Sequence, residues 1–75
     1  MKIEYDRSAD AAYIYLIDSI PHGGVSWTYP CQIPKLKGSM INLDFDANNC
    51  LIGIEVLDAS KHLPKKVLEK AELIG

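Results

Sequence analysis

Residues 39–63 read SMINLDFDANNCLIGIEVLDASKHL, and this stretch predicts two strands, a tight turn and the start of a helix. Apolar and polar residues alternate in it from Met40 to Phe45 and again from Ile52 to Val56. Such alternation is typical of strands that bury one face. We therefore expect a β-hairpin around which the rest of the chain is organised.

The turn between these strands sets the expected register. A two-residue type I′ turn needs positive φ at both positions and favours Asn or Gly, which fits Asn48 and Asn49. Counting outward from this turn places three apolar pairs on one face: Phe45 with Ile52, Leu43 with Ile54, and Ile41 with Val56. A slip of one residue would move the whole apolar set to the opposite face, so turn and pattern favour the same register.

Three further strands are predicted before the hairpin, at Lys2–Tyr5, Ala11–Ile17 and Val25–Tyr29. The second is a continuous apolar and aromatic run, which favours a central position in the sheet. Its alternation sets Ala12, Ile14 and Leu16 on one face and Tyr13, Tyr15 and Ile17 on the other. Residues 30–38 contain two prolines, which lack backbone donors, and we expect a loop there.

A helix is predicted at the C-terminal end. Asp58 is suited to cap a short turn through residues 59–62, and Pro64 fits the first turn of a helix running to about Leu73. Leu63, Val67 and Leu68 fall on the side of this helix that would face the sheet. The sequence thus predicts one α+β domain over residues 1–75, with a small antiparallel sheet of four or five strands packed on a C-terminal α-helix.

Composition narrows the classes of function. An apolar share of 48% with 24% charged residues is ordinary for a folded domain and unlike a disordered chain. The net charge is -2, and no stripe of Lys and Arg alternates with aromatic residues, so we expect no nucleic-acid partner. Without an apolar run of about 18 residues or a basic-then-apolar leader, we expect no membrane partner and a cytoplasmic location.

Several stretches of the chain resemble a known family. They are Tyr5-Asp6, Asp10-Ala11 with Tyr13, LDFD at residues 43–46, GIEVLDAS at residues 53–60, and Leu63-Pro64. Together they resemble the bacterial family called domain of unknown function 2283, over nearly the whole chain except residues 20–38. The resemblance implies a small antiparallel sheet with a C-terminal helix, in a stand-alone protein with no assigned activity.

Polar residues of the hairpin form one candidate site. Asn42, Asp44 and Glu55 share the face opposite the predicted core, and Asn42 lies across from Glu55 in the expected register. Glu55 either accepts a hydrogen bond from Asn42 or pairs with a lysine, or else it is an interfacial carboxylate beside Gly53, where a ligand or a second backbone could come close. A small-ligand or metal-binding site using Asp44, Glu55 and Asp58 is the alternative function.

Neither histidine is near a Ser, Cys or Asp arrangement that would suggest nucleophilic catalysis. The two cysteines lie too far apart in the sequence for a C-x-x-C metal or redox motif. We therefore expect no enzymatic activity, no catalytic or metal-ligating residue and no cofactor.

The tyrosines of the second strand suggest an interface. One short helix cannot cover both faces of a sheet, which leaves Tyr13 and Tyr15 either as half-buried residues with wet hydroxyls or in a contact between chains. We expect the second arrangement, in a homodimer or higher oligomer. The hypothesis is a small protein-interaction module that self-associates, and family analogy alone adds a regulatory, antitoxin-like role in a two-protein pair.

Overall fold

The computed structural model describes the backbone of residues 1–75 and every side chain except that of Ser39. Within these residues, six strands, two short α-helices and one 3-10 turn are formed. In chain order they are β1 (Lys2–Asp6), β2 (Ala11–Tyr15), β3 (Trp27–Gln32), the 3-10 turn (Pro34–Leu36), β4 (Ser39–Phe45), β5 (Leu51–Leu57), α1 (Ala59–His62), α2 (Lys65–Lys70) and β6 (Glu72–Ile74).

All strands belong to one sheet with the order β3-β4-β5-β2-β1-β6. Neighbouring strands are antiparallel except β6, which runs parallel to β1. The predicted α+β class is confirmed, as is the central position of β2, but the predicted four or five antiparallel strands are too few. The missing strand is β6, whose three residues are too short for an alternation pattern to show.

The β4–β5 hairpin has the predicted register only in the part away from the turn. Leu43 pairs with Ile54 and Ile41 with Val56, as expected, whereas Phe45 pairs with Leu51 instead of Ile52. Ile52 is therefore an extra residue on β5, which makes it a β-bulge.

The cause of the bulge is the turn, which is not the predicted type I′. Asn49 N donates to Asp46 O, and only Asn49 among the turn residues has positive φ, at 62°. This is a type I turn centred on Ala47 and Asn48, followed by a left-handed residue. Such a turn shifts the pairing by one residue, and the bulge at Ile52 shifts it back.

The edge strand β3 corrects another prediction. It runs through Pro30 to Gln32, where a loop over residues 30–38 was expected, and the 3-10 turn follows. Pro30 is tolerated because an edge strand has no second neighbour that needs its missing N–H.

The two helices lie over one end of the sheet. Ala12, Val56 and Ala59 form the buried centre, with Leu63 and Leu68 packed against it. The predicted outward side of α2 is confirmed, since its charged residues are exposed: Lys65, Lys66, Glu69 and Lys70.

The predicted helix to Leu73 is too long, because the backbone turns extended at Ala71, with φ -72° and ψ 151°. The chain then pairs with β1, so residues 72–74 gain strand hydrogen bonds in place of helical ones.

The turn yields a stability prediction. Asn49→Val should destabilise the fold by about 1–2 kcal/mol, because a β-branched residue resists the left-handed conformation and cannot replace the acceptor that Asn49 Oδ1 provides for Trp27 Nε1 at 3.0 Å. Asn49→Asp keeps an acceptor and tolerates this φ, so it serves as the control. Urea unfolding of both variants gives the comparison, and equal stability of Asn49→Val and the unmodified chain would exclude the left-handed turn residue.

Candidate functional site

The structure has no cavity in the part of the chain that it describes. The described residues also include no group of three or more His, Cys, Asp or Glu side chains placed to hold a metal ion. The candidate sites are therefore surfaces. The sheet has two of them, one on the side away from the helices and one on the side that the helices partly cover.

The surface opposite the helices carries the residues predicted as a site. We call it the tyrosine face, and its members are Glu4, Tyr13, Tyr15, Asp44 and Glu55. Cross-strand pairing sets Tyr13 beside both Glu4 and Glu55, and Tyr15 beside Gly53, which in turn pairs with Asp44. Tyr13, Tyr15, Gly53 and Glu55, the candidate contact residues of the sequence, therefore lie on one face of the sheet.

Tyr13 reaches across a whole strand on this face. Its hydroxyl donates to Asp44 Oδ2 at 2.6 Å, which joins β2 to β4 over β5. A side chain at position 53 would block that path: a Cβ there would overlap the Tyr13 hydroxyl and lie 2.5 Å from Tyr13 Cζ. The space above Gly53, which the sequence suggested for a ligand or a second backbone, is therefore filled by Tyr13.

Both carboxylate oxygens of Asp44 accept a hydrogen bond. Its second oxygen, Oδ1, accepts from Thr28 Oγ1 at 2.6 Å, so the carboxylate connects three strands. Burial first, and then the hydrogen bond to Asp44, raise the pKa of Tyr13. Tyr13 therefore keeps its proton at neutral pH and acts as a hydrogen-bond donor, not as a nucleophile.

Tyr15 is held in the same manner at the other side of the face. Its hydroxyl donates to Glu4 Oε1 at 2.8 Å, and this bond is the first cause of its raised pKa, with burial second. Lys2 Nζ lies 4.4 Å from the ring centroid of Tyr15 and 3.8 Å from Glu4 Oε2. The Tyr13 and Tyr15 rings meet edge to face with centroids 4.8 Å apart, a favourable aromatic geometry.

Glu55 makes one of the contacts that the sequence left open, a hydrogen bond with Asn42 across the sheet. Asn42 Nδ2 donates to Glu55 Oε1 at 2.9 Å, in the predicted register. The alternative site of Asp44, Glu55 and Asp58 is not brought together, because Asp58 follows the end of β5. At about 3.3 Å per strand residue, Asp58 lies roughly 16 Å along the strand from the position beside Asp44.

A second polar cluster, missed by the sequence analysis, holds α1 on the sheet. Asp10 Oδ1 accepts from Tyr5 Oη at 2.7 Å and from Ser60 N at 3.0 Å, and Asp10 Oδ2 accepts from Ser60 Oγ at 2.7 Å. Asp10 O also accepts from Ala59 N at 2.9 Å. Asp58, the predicted cap, makes no such hydrogen bond. The only available signal was that Tyr5, Asp10 and Ser60 all lie in stretches that resemble the family.

The helix side of the sheet is apolar, and part of it is uncovered. We call its uncovered part the open apolar face, and its members are Leu16, Trp27, Tyr29, Leu43 and Phe45. Trp27 pairs with Phe45 and Tyr29 with Leu43 across β3 and β4, and the Trp27 and Phe45 rings stack at 4.2 Å. Trp27 is 42% exposed and Tyr29 55%, which is high for aromatic side chains on a sheet.

Fold and surfaces together define a small α+β protein with a single mixed sheet, without a pocket in its described residues. The chain belongs to the family described as protein of unknown function (DUF2283), which matches residues 2–60. This confirms the resemblance found in the sequence. Comparison with curated proteins and with solved structures finds no match. No helix among the described residues is long and apolar enough to cross a membrane.

The path of Tyr13 over Gly53 yields a prediction. Gly53→Ala should destabilise the fold by about 1–3 kcal/mol, because the added methyl group displaces the Tyr13 side chain. In a chain that already carries Tyr13→Ala, the same change should cost much less, since the overlap is gone. The four free energies of unfolding form a double-mutant cycle, and additive effects would show that Tyr13 does not lie over Gly53.

The Asp10 cluster yields a pH prediction. The hydrogen bonds from Ser60 Oγ, first, and Tyr5 lower the pKa of Asp10. A carboxyl with a lowered folded pKa adds stability above its unfolded pKa of about 4, and loses it as pH falls through the folded value. We expect the Tm to fall on acidification from about pH 5 to about pH 2, and Ser60→Ala to make this fall shallower.

The control for this measurement is Ser19→Ala, a change of the same kind in the exposed loop after β2. It should leave the dependence of Tm on pH as it is in the unmodified chain. Parallel curves for all three proteins would mean that the Ser60 hydrogen bonds do not stabilise the ionised Asp10.

Proposed function

We propose that this chain is a small protein-interaction module that self-associates. One observation carries the proposal: the folded chain exposes more surface than a compact monomer of its mass. A monomer of 8.3 kDa is expected to expose about 4,600 Å², whereas this chain exposes 5206 Å². The excess of roughly 600 Å² is about three quarters of the ~800 Å² that each partner buries in a standard protein interface.

The shape of the molecule accounts for this excess. Its principal dimensions are 32 × 29 × 18 Å, so it is a slab in which one sheet is partly covered by helix. Among the described side chains, four apolar ones are buried, with 4% exposure or less: Ala12, Ile52, Val56 and Ala59. Two of these are alanines, so burying further apolar surface against a second chain would add stability that the monomer lacks.

Neither edge of the sheet is well suited to association by strand addition. Pro30 removes a backbone donor from β3, and β6 has three residues. Short edge strands and edge prolines are the usual means by which proteins prevent edge-to-edge pairing. These features favour association through a face of the sheet, with closed two-fold dimers as the commonest outcome.

The rival function, a small-ligand or metal site, gains no support, because Asp58 lies away from Asp44 and the described residues hold no group of three metal-ligating side chains. A regulatory role in a two-protein pair and the absence of enzymatic activity stay predictions from the sequence.

Sedimentation equilibrium tests the proposal. At micromolar concentration and above, we expect an average mass that rises with concentration toward about twice the 8.3 kDa of one chain. The mass should stay high in moderate salt, because apolar association is little screened by salt. A mass of one chain at every concentration, up to the solubility limit, would show that the protein does not self-associate.

A further inference from the structure

We infer that a second copy of this chain docks on the open apolar face, with Trp27 and Tyr29 at the centre of the contact. This rests on the proposed self-association and assigns it a surface. It departs from the sequence-based hypothesis, in which Tyr13 or Tyr15 lies in the contact.

The polar groups of the tyrosine face are already hydrogen-bonded within the chain. The hydroxyls of Tyr13 and Tyr15 already donate to Asp44 and Glu4 within the chain. A partner on the tyrosine face would have to cover these bonded groups or break them, and both cost free energy. The open apolar face carries two polar groups: the indole N–H of Trp27, which already donates to Asn49 at the rim, and the hydroxyl of Tyr29, which can hydrogen-bond to water or to the partner.

The distribution of charge also favours the open apolar face. Lys2 lies next to Glu4 on the tyrosine face. This face and its continuation onto β6 carry four carboxylates: Glu4, Asp44, Glu55 and Glu72. In a two-fold dimer the same surface meets itself, so this face would bring carboxylates together in a desolvated contact, which is costly. None of the five residues of the open apolar face carries a charge at neutral pH.

The open apolar face continues the apolar surface that the helices cover. Pairing across the sheet arranges the helix side in three rows that run perpendicular to the strands. The helices cover the row of Ala12 and Val56. The next row passes through Tyr29 and Leu43 and the last through Trp27 and Phe45. The uncovered part of these two rows lies on β3, where Tyr29 is 55% and Trp27 42% exposed, whereas Ile52 on β5 is buried.

The composition fits a contact surface. Large aromatic residues are enriched among the residues that contribute most to binding, at the centre of interfaces. Stacking on Phe45 and the hydrogen bond to Asn49 hold Trp27 in one orientation, so little side-chain entropy is lost when a partner docks.

Two substitutions of the same kind at neighbouring positions test the surface. Tyr29 and Thr28 are consecutive exposed residues of β3, and they point to opposite faces of the sheet. Tyr29→Lys places a charge on the open apolar face and should weaken the dimer by about tenfold or more. Thr28→Lys places the same charge beside Asp44 on the tyrosine face and should change the dissociation constant less than about twofold.

Trp27 supplies a second measurement on the unmodified chain, because it is the sole tryptophan of the sequence. Its fluorescence emission should move to shorter wavelength as concentration passes through the dimerisation range, since its exposed part leaves water. Tyr29→Lys should shift this transition to higher concentration. Should that variant fold poorly, as judged by circular dichroism, Tyr29→Thr keeps the strand propensity and removes the ring.

The outcomes separate the two claims. Selective weakening by the change at Tyr29, with the emission shift of Trp27, supports the assignment. Dimerisation without an emission shift, or with Thr28→Lys as the more harmful variant or with the two variants alike, would overturn the assigned surface and leave self-association standing. A monomer at all concentrations would overturn both.

Discussion

The carboxylate of Asp10 decides where the helical part of the chain lies. A helix of four residues, such as α1, is far below the ~12–15 residues at which an isolated helix becomes marginally stable in water. Its start is therefore supported from outside: Asp10 accepts hydrogen bonds from the first two residues of α1, at 2.7–3.0 Å. Because Asp10 belongs to the turn between β1 and β2, these bonds also place Ala59 against Ala12 and Val56, where it is completely buried.

This anchor has a consequence for the rest of the sheet. Since Asp10 lies at one end of the sheet, α1 and α2 cover that end and leave Trp27 and Tyr29 of β3, on the same side, exposed. The tyrosine face needs no such cover, because its tyrosines and carboxylates form hydrogen bonds within the chain. The two sides of the sheet thus differ. On one side the polar groups are satisfied by hydrogen bonds within the chain, and on the other side apolar residues remain exposed.

The sequence predicted what alternation alone controls. The pairs Leu43–Ile54 and Asn42–Glu55 were expected and are present, because a half-buried strand tolerates no slip. The turn was misassigned, since Asn accepts a left-handed conformation in several turn types. The error stayed local, because the bulge at Ile52 restores the pairing that the apolar pattern requires. Contacts between distant residues, such as Asp10 with Ser60, leave no periodic signal.

The predicted site shows a further limit of sequence reasoning. Alternation along the second strand placed Tyr13 and Tyr15 on the face away from the helix, and they lie there. Their acceptors could not be foreseen, because Tyr13 reaches Asp44 only by passing over Gly53 on the intervening strand. Trp27 was assigned to a strand but not to a surface, since its exposure depends on how far the helices extend over the sheet.

The residues that hold the fold together and those that form the open apolar face lie in the same part of the chain. The residues 2–60 that the family matches include Asp10 and Gly53, and they also include Trp27 and Tyr29 of β3. Because Trp27 pairs with Phe45 and Tyr29 with Leu43, the open apolar face is part of the sheet itself. In a two-fold dimer this face would meet the same face of the second copy, and each chain would supply the apolar cover that the other lacks. Self-association through β3 and β4 therefore needs no surface other than the sheet that every copy carries.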